Sequence, residues 1–161
     1  MAYQAFLKLQ GAKQGDIKGS ATEKGREGMI AVFAVEHTIT SPRDLATGQA
    51  SGKRQHQPLV ILKELDASSV PLREALITNE TLTAWELQFW TPSFQGDDTQ
   101  VYTIRLTNAG IASIHFAMSD TRDAQFSARA PYEEVAFAYE AIEWSWTDGG
   151  LTASDDWQQV S

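Results

Sequence analysis

The chain has 161 residues, 42% hydrophobic and 21% charged, the ordinary balance of a globular domain with a core of its own. A formal net charge of −8 argues against nucleic acid as a partner, because phosphate binding draws on Lys and Arg. Cysteine is absent, which excludes a disulfide framework, a thiolate metal site and a catalytic thiol.

The chain opens without a basic start and a long apolar run, so no cleavable signal peptide is expected. No stretch approaches the roughly 20 apolar residues of a membrane span, and no membrane insertion is expected. Residues 4–9 alternate, with Tyr3, Ala5, Leu7 and Leu9 on one face and Phe6 and Lys8 on the other, and read as a first strand. Residues 11–28 are glycine-rich with mixed charge and read as a turn-rich connection. In residues 29–40, Met29, Ala31, Phe33, Val35 and Ile39 share one face while Ile30, Val32 and Ala34 make the other apolar too. Such a strand is expected to be covered on both faces, by a second sheet, a helix or a neighbouring subunit. Ser41-Pro42 ends it.

Residues 43–57 form a long polar loop with Gly48 and Gly52 as expected pivots. Lys53, Arg54 and His56 give it local positive charge on an acidic chain. Two readings stay open for it: a solvated hairpin tip, or a segment whose partner is another molecule. Residues 58–65 are the next strand, with Leu59, Ile61 and Lys63 in one parity. Residues 66–69 offer several helix N-cap residues, and Pro71 suits a first turn. Leu72, Ala75, Leu76 and Asn79 then fall on one face of a short helix ending near residues 78–79. A helix of two to three turns is marginal alone and must dock that face.

From residue 82 the period is again two. Thr83, Trp85, Leu87 and Phe89 alternate with Leu82, Ala84, Glu86 and Gln88, and Gly96-Asp97 marks the following turn. Tyr102, Ile104 and Leu106 oppose Thr103, Arg105 and Thr107. Asn108-Ala109-Gly110 reads either as a tight turn or as a bulge in one long bent strand. Ile114, Phe116 and Met118 continue the alternation, and residues 119–131 are polar and turn-like. Residues 132–146 form the longest strand: Val135, Phe137 and Tyr139 share one face, then Ile142, Trp144 and Trp146 fall on the opposite parity. That switch near Glu140-Ala141 implies a bulge or a change of sheet. Asp148-Gly149-Gly150 turns the chain into a short tail, residues 151–158, carrying Trp157. The pattern is mainly β: a single domain over residues 1–161, an antiparallel two-sheet β-barrel or sandwich with one short α-helix alongside. Its excess apolar surface suits a subunit of a tight oligomer.

Catalytic chemistry is not legible. His37, His56 and His115 stand in no metal-ligand spacing. There is no nucleophile elbow and no phosphate loop. The carboxylate pairs Asp97-Asp98, Glu133-Glu134 and Asp155-Asp156 are sequence neighbours that diverge on a strand or are solvated in a turn. Asp148 with Asp155 or Asp156 could suggest calcium, but the spacing matches no EF-hand loop. No catalytic residue, cofactor or metal is therefore expected. The five tryptophans read as core or interface anchors, or, alternatively, as the binding face of a monomeric β-sandwich that takes carbohydrate.

An ordered series of short motifs runs along the chain: GDIKGS (15–20), REG (26–28), Glu36-His37, Thr47-Gly48 with GKRQH (52–56), KELD (63–66) with Ser68-Ser69, EEV (133–135), IEWSWTDGG (142–150) and SDDW (154–157). Together they resemble the haemolysin-coregulated protein (Hcp) family, the tube protein of bacterial type VI secretion. The resemblance implies a two-sheet barrel that forms a homo-hexameric ring. Rings would stack into a hollow tube inside a contractile sheath, capped by a valine-glycine-repeat spike and able to carry small effector proteins. It implies assembly in the bacterial cytoplasm and release without a cleaved signal. The loop that would reach the adjacent ring corresponds to Pro42, Arg43, Asp44, Gly48, Gln49, Ser51, Gly52, Lys53, Arg54 and His56, and Leu72 and Leu76 would pack the helix beside the barrel and subunit interface. Val70 stands between Ser-Ser and Pro71, where the family commonly has proline directly. No further domain follows Ser161, so a fused toxin is not expected.

Overall fold

The computed structural model describes residues 3–147 and 149–157. Among these residues the elements run β1 (Gln4–Gly11), β2 (Gly15–Ile17), β3 (Ile30–Val32), β4 (Ala34–Glu36), β5 (Ile39–Thr40), β6 (Gln55–His56), β7 (Leu59–Glu64), α1 (Ser69–Ile77), β8 (Leu82–Pro92), β9 (Asp98–Thr107), β10 (Gly110–Ala117), β11 (Tyr132–Ala138), β12 (Ala141–Trp146) and β13 (Leu151–Asp156). The larger sheet has the order β13-β12-β9-β8-β1-β2, with β3 also paired to β1. The smaller sheet is β10-β11-β7-β4, and β5-β6 form a separate ribbon. All pairings are antiparallel. The two sheets are not closed into a barrel, so the sandwich form is the one adopted.

The chain passes between the two sheets once through α1, from β7 to β8, and directly at three corners, each of which answers a feature of the sequence. At Phe33 it leaves β3 in the larger sheet for β4 in the smaller, with the Phe33 N–H donating to the Leu62 carbonyl at 2.8 Å. At Asn108-Ala109 it runs from β9 to β10, and Asn108 takes a left-handed φ of 49° to make the bend. This is a long strand bent across a corner, and asparagine tolerates that conformation better than most residues. At Tyr139-Glu140 it returns from β11 to β12. The apolar parity flips there because the two halves belong to different sheets and must both face the core between them.

Leu7, Leu9, Leu59, Ile61, Trp85, Leu87, Val135, Phe137 and Ile142 fill that core. Trp85 meets Phe137 edge-on at 5.4 Å between centroids. Gly19 of the first motif is required by packing: a Cβ there would meet the Met29 carbonyl oxygen at 2.6 Å and the Ile30 Cα at 2.7 Å. Arg26 of the second is buried between the Phe6 and Trp90 rings, 5.0 and 4.5 Å from their centroids, and is paired with Asp98 at 2.9 Å.

Two expectations are corrected, and a third is met only in part by the chain itself. In residues 29–40 Ile30 and Val32 are buried and Val35 packs against the core, whereas Phe33 is 61% exposed and Ala34 and Ile39 are exposed as well. Phe116 and Met118 share the parity of Ile114 but do not continue its core contact: at and beyond the end of β10 both are exposed, and Arg73 lies over the Phe116 ring. The segment after Gly150 is an edge strand, β13, rather than a tail, and its sequence carries no apolar alternation by which to recognise it. Asp148, the turn and calcium candidate, and Gln158 lie outside the described residues.

Candidate assembly site

Most of the motifs gather into two clusters, one at the strand–helix corner and one at the base of the long loop, while REG packs at Phe6 and Trp90 and IEWSWTDGG runs along β12. At the corner, β7 places Lys63 in the same buried parity as Leu59 and Ile61. Its ammonium, fully buried, contacts the equally buried Glu133 of β11 directly opposite. It also reaches Asp66 at 3.1 Å, the Ser69 hydroxyl at 3.2 Å and the Glu64 carbonyl at 3.0 Å. Ser69 donates its hydroxyl to Glu133 at 2.7 Å, and Arg73 lies 2.8 Å from the other Glu133 oxygen. Burial alone would push the Glu133 carboxyl up; hydrogen bonds from Lys63, Ser69 and Arg73 and the Lys63 charge outweigh it and hold the group below the usual range.

This cluster fixes where α1 starts. Ser68 is its N-cap but makes no side-chain cap bond to the helix; its N–H and hydroxyl both donate to Asp66. Val70 sits exposed in the first turn, and Pro71 follows within that turn, where its missing N–H costs little. Leu72 and Ala75 are buried against the core beside β10; Leu76 is half-buried. Leu72 is thus committed to the chain's own interior. Val70 and Ile77, each about three-quarters exposed at 77% and 76%, are the apolar side chains the helix turns outward.

The long loop is a built hairpin that continues the β4–β7 pair beyond the smaller sheet. Ile39 faces His56 and Thr40 faces Gln55, and Arg43 bridges to Ala50. Asp44 closes the tip by accepting from the Ala46 and Thr47 N–H groups at 2.7 and 3.2 Å. Gly48 has φ +74° and donates to the Asp44 carbonyl; Gly52, the other expected pivot, needs no left-handed conformation. Ser51 donates its N–H to the Pro42 carbonyl at 2.9 Å, and Asp44 to Gln49 at 2.8 Å. Arg43, Asp44, Leu45, Gly48, Gln49, Ser51, Gly52 and Lys53 are all exposed.

The base of the hairpin is different. Arg54 donates from Nε and Nη2 to Asp155 of β13 at 2.6 and 2.7 Å, and from Nη2 to the Asp156 carbonyl at 3.0 Å. His56 Nε2 contacts the same Asp155 at 2.7 Å, and its Nδ1 lies 2.7 Å from the Tyr139 hydroxyl. His37 Nε2 reaches that hydroxyl from the other side, also at 2.7 Å. Trp157 stacks near the His56 ring and donates its indole N–H to the Tyr139 carbonyl. The Arg54 hydrogen bonds hold the Asp155 carboxyl below its ordinary range. Burial, then the Asp155 charge, push the Tyr139 hydroxyl up, so it stays a neutral donor. Burial and the neighbouring His56 lower His37. The hydrogen bonds of the cluster fasten one segment to another, which suits attachment rather than reaction.

Of the residues singled out in the sequence, Arg54 and His56 come together with His37 here, while His115 stands apart on β10 opposite Glu134. Asp155 is a strand residue held by Arg54 and His56 rather than a solvated turn carboxylate. Tyr139 and Asp155 were not visible as partners of the loop, although GKRQH and SDDW both stood out as motifs. The tryptophans form no open stripe: Trp85 is buried, Trp144 and Trp157 pack on the core, Trp90 covers Arg26, and Trp146, 40% exposed, lies beside Tyr102.

The comparisons agree with this arrangement. The family described as "Type VI secretion system effector, Hcp" matches residues 6–146. A Pseudomonas aeruginosa protein named "Major exported protein" is 34% identical over 98% of this chain and 97% of its own length. The crystal structure of an Hcp protein superposes with a TM-score of 0.90 at 28% identity, covering 99% of this chain and all of the other. Hcp1 of Escherichia coli EAEC 042 gives a TM-score of 0.86 at 33% identity, over 97% of this chain and 99% of that one. Secreted protein Hcp3 of Pseudomonas aeruginosa gives 0.80 at 29%, over 98% and 100%. With KELD, Ser68-Ser69 and EEV fastening the helix, GKRQH and SDDW fastening the hairpin, and a match across nearly its whole length, the chain belongs to the Hcp family and is a secreted tube subunit of type VI secretion.

Proposed function

We propose that this single-domain subunit assembles as a homo-hexameric ring and that rings stack through the β5–β6 hairpin into a hollow tube. The tube would form in the cytoplasm within a contractile sheath, carry a valine-glycine-repeat spike and small effector proteins, and leave the cell without a cleaved signal. The role is structural, with no catalytic step. One observation carries the reading: the hairpin has a hydrogen-bonded, exposed tip bearing Arg43, Leu45 and Lys53, while its base is anchored to the body by Arg54 and His56. An isolated solvated tip has no need of such an anchor, whereas a contact that must bear on a neighbouring ring does. The tip is locally basic on a chain of net charge −8, which suits the acidic surface of a second copy.

Charge reversal at the tip tests this. Arg43→Glu with Lys53→Glu should leave single rings intact and reduce their stacking, read by sedimentation and electron microscopy. Because the contact is exposed, wild-type stacking should also weaken as salt rises and shortens the screening length below about 8 Å. Variants that stack and secrete like wild type would reduce the hairpin to a solvated loop.

A further inference from the structure

The two sheets carry charge differently on their outer faces. On the larger sheet Arg105 stands between Glu86 and Glu143, 2.8 and 3.0 Å away, so those charges close on one another. On the smaller sheet the strand register sets two rows side by side: Glu134, Leu62 and Ala34, then Ala136, Val60 and Glu36. They alternate along β7 and β11 with the buried Ile61, Lys63, Glu133 and Val135, so these rows face outward. Glu64 stands in the row beyond, next to Tyr132, and Arg129 lies over that ring at the border of the face. His115 faces Glu134 across β10 and β11 without bonding to it. Among the described residues, Glu36, Glu64 and Glu134 make no ion pair and no side-chain hydrogen bond. A groove of about 180 Å³ crosses β7 between Glu134 on β11 and Glu36 on β4, with Ala34, Val60 and Leu62 along it. Val60 and Leu62 are half-buried there, and Ala34, Glu36 and Glu134 are exposed.

We propose that this groove takes a lysine or arginine side chain, and with it a basic, apolar-flanked segment of a partner polypeptide. The apolar floor suits the aliphatic stem of such a side chain, and the carboxylates at the rim suit its cationic head. Covering Val60 and Leu62 removes apolar surface from water, which favours a polypeptide over a small free cation. Glu36 and Glu134 have no internal cation, so a charge-assisted hydrogen bond must come to them from outside. A metal ion does not fit: among the described residues no group of three or more His, Asp or Glu side chains is placed to hold one. Nucleic acid and an anionic membrane surface carry the wrong sign. Within the proposed tube this face would select cargo that displays basic segments. That extension rests on the ring-and-tube reading; the groove itself does not.

A short peptide of alternating lysine and leucine is the probe, added to the full chain and read by fluorescence anisotropy and by NMR amide shifts. It should bind, with the shifts gathered at Ala34, Val60, Leu62 and Ala136. Exchanging the peptide's lysines for glutamate should abolish binding, and exchanging its leucines for serine should weaken it. Glu36→Gln combined with Glu134→Gln should weaken binding about tenfold, the worth of two exposed charge pairs. Glu143→Gln on the larger sheet should leave binding unchanged. The double variant should match wild type in circular dichroism and in its mass by light scattering. A chain of net charge −8 attracts any polycation, so binding that ignores Glu36 and Glu134, or shifts spread over the whole acidic surface, overturns the groove. Loss of rings in the double variant also overturns it and makes the face a contact between copies. A chain that binds the peptide through Glu36 and Glu134 but forms no rings keeps the groove and contradicts the tube.

Discussion

Lys63 and Glu133 show what one pair of residues does for this chain. Both are fully buried, and together with Ser69, Asp66 and Arg73 they hold the end of β7, the facing position of β11 and the first turn of α1 in one place. Removing one partner strands a buried charge, which costs about 3–5 kcal/mol, far more than the loss of an exposed ion pair. Glu133→Ala should therefore lower stability by that amount in denaturant titration, while Lys63→Met combined with Glu133→Leu should recover most of it. The depressed Glu133 carboxyl gives a pH signature as well. Its contribution is complete above its ordinary 4.5 and is lost as pH falls through lower values. Denaturation midpoints should thus fall more steeply in acid for the wild type than for the Lys63→Met/Glu133→Leu chain. Parity alone placed Lys63 beside Leu59 and Ile61, so its burial was legible in the sequence. Its partner was not, because Glu133 lies seventy residues away and nothing local says which strand will stand opposite.

At the scale of elements, α1 and the hairpin are both held at their ends. The helix closes in a Schellman arrangement: Asn79 takes φ 54°, Glu80 N–H donates to the Ala75 carbonyl at 2.9 Å, and Asn79 N–H to Leu76 at 3.3 Å. Asn79→Ala should cost about 1 kcal/mol because a Cβ without a local polar partner disfavours that conformation, and Asn79→Gly should be close to neutral. Thermal melts of the two variants separate these outcomes. Leu72→Ala should cost about 2–5 kcal/mol, since the side chain is wholly inside the core. The strands with apolar alternation, the helix and the parity switch at residue 140 could all be read from the sequence, because burial imposes a period on them. β13 could not: only its edge pairing with β12 and the Asp155 contacts make it a strand, and a run such as Leu151–Asp156 has no face to bury. The hairpin's length and charge were legible, whereas its anchor depends on Tyr139 and Asp155, which join it only in three dimensions.

Across the whole molecule, the outer face of the larger sheet is hydrophilic. Lys8, Glu86, Arg105, Glu143 and Ser154 stand side by side on five strands, with Arg105 2.8 Å from Glu86 and 3.0 Å from Glu143. Such a face stays wet at little cost, and surface pairs of this kind contribute at most about 1 kcal/mol to stability. Apolar side chains are exposed elsewhere: Phe33 and Leu65 border one groove, and Phe116 and Met118 lie at the free edge of β10. Contacts between neighbouring subunits of a ring should draw on these positions. Phe33→Asp is expected to leave the fold intact by circular dichroism and to shift the population from rings toward single chains.

The most direct measurement is the mass and shape of the purified protein. Light scattering on a size-exclusion peak should give six times the 17.8 kDa chain, and electron microscopy of that peak should show rings with an open centre. A mass of one chain at every concentration, with no rings in the images, would contradict the account of this protein as a subunit that builds a tube.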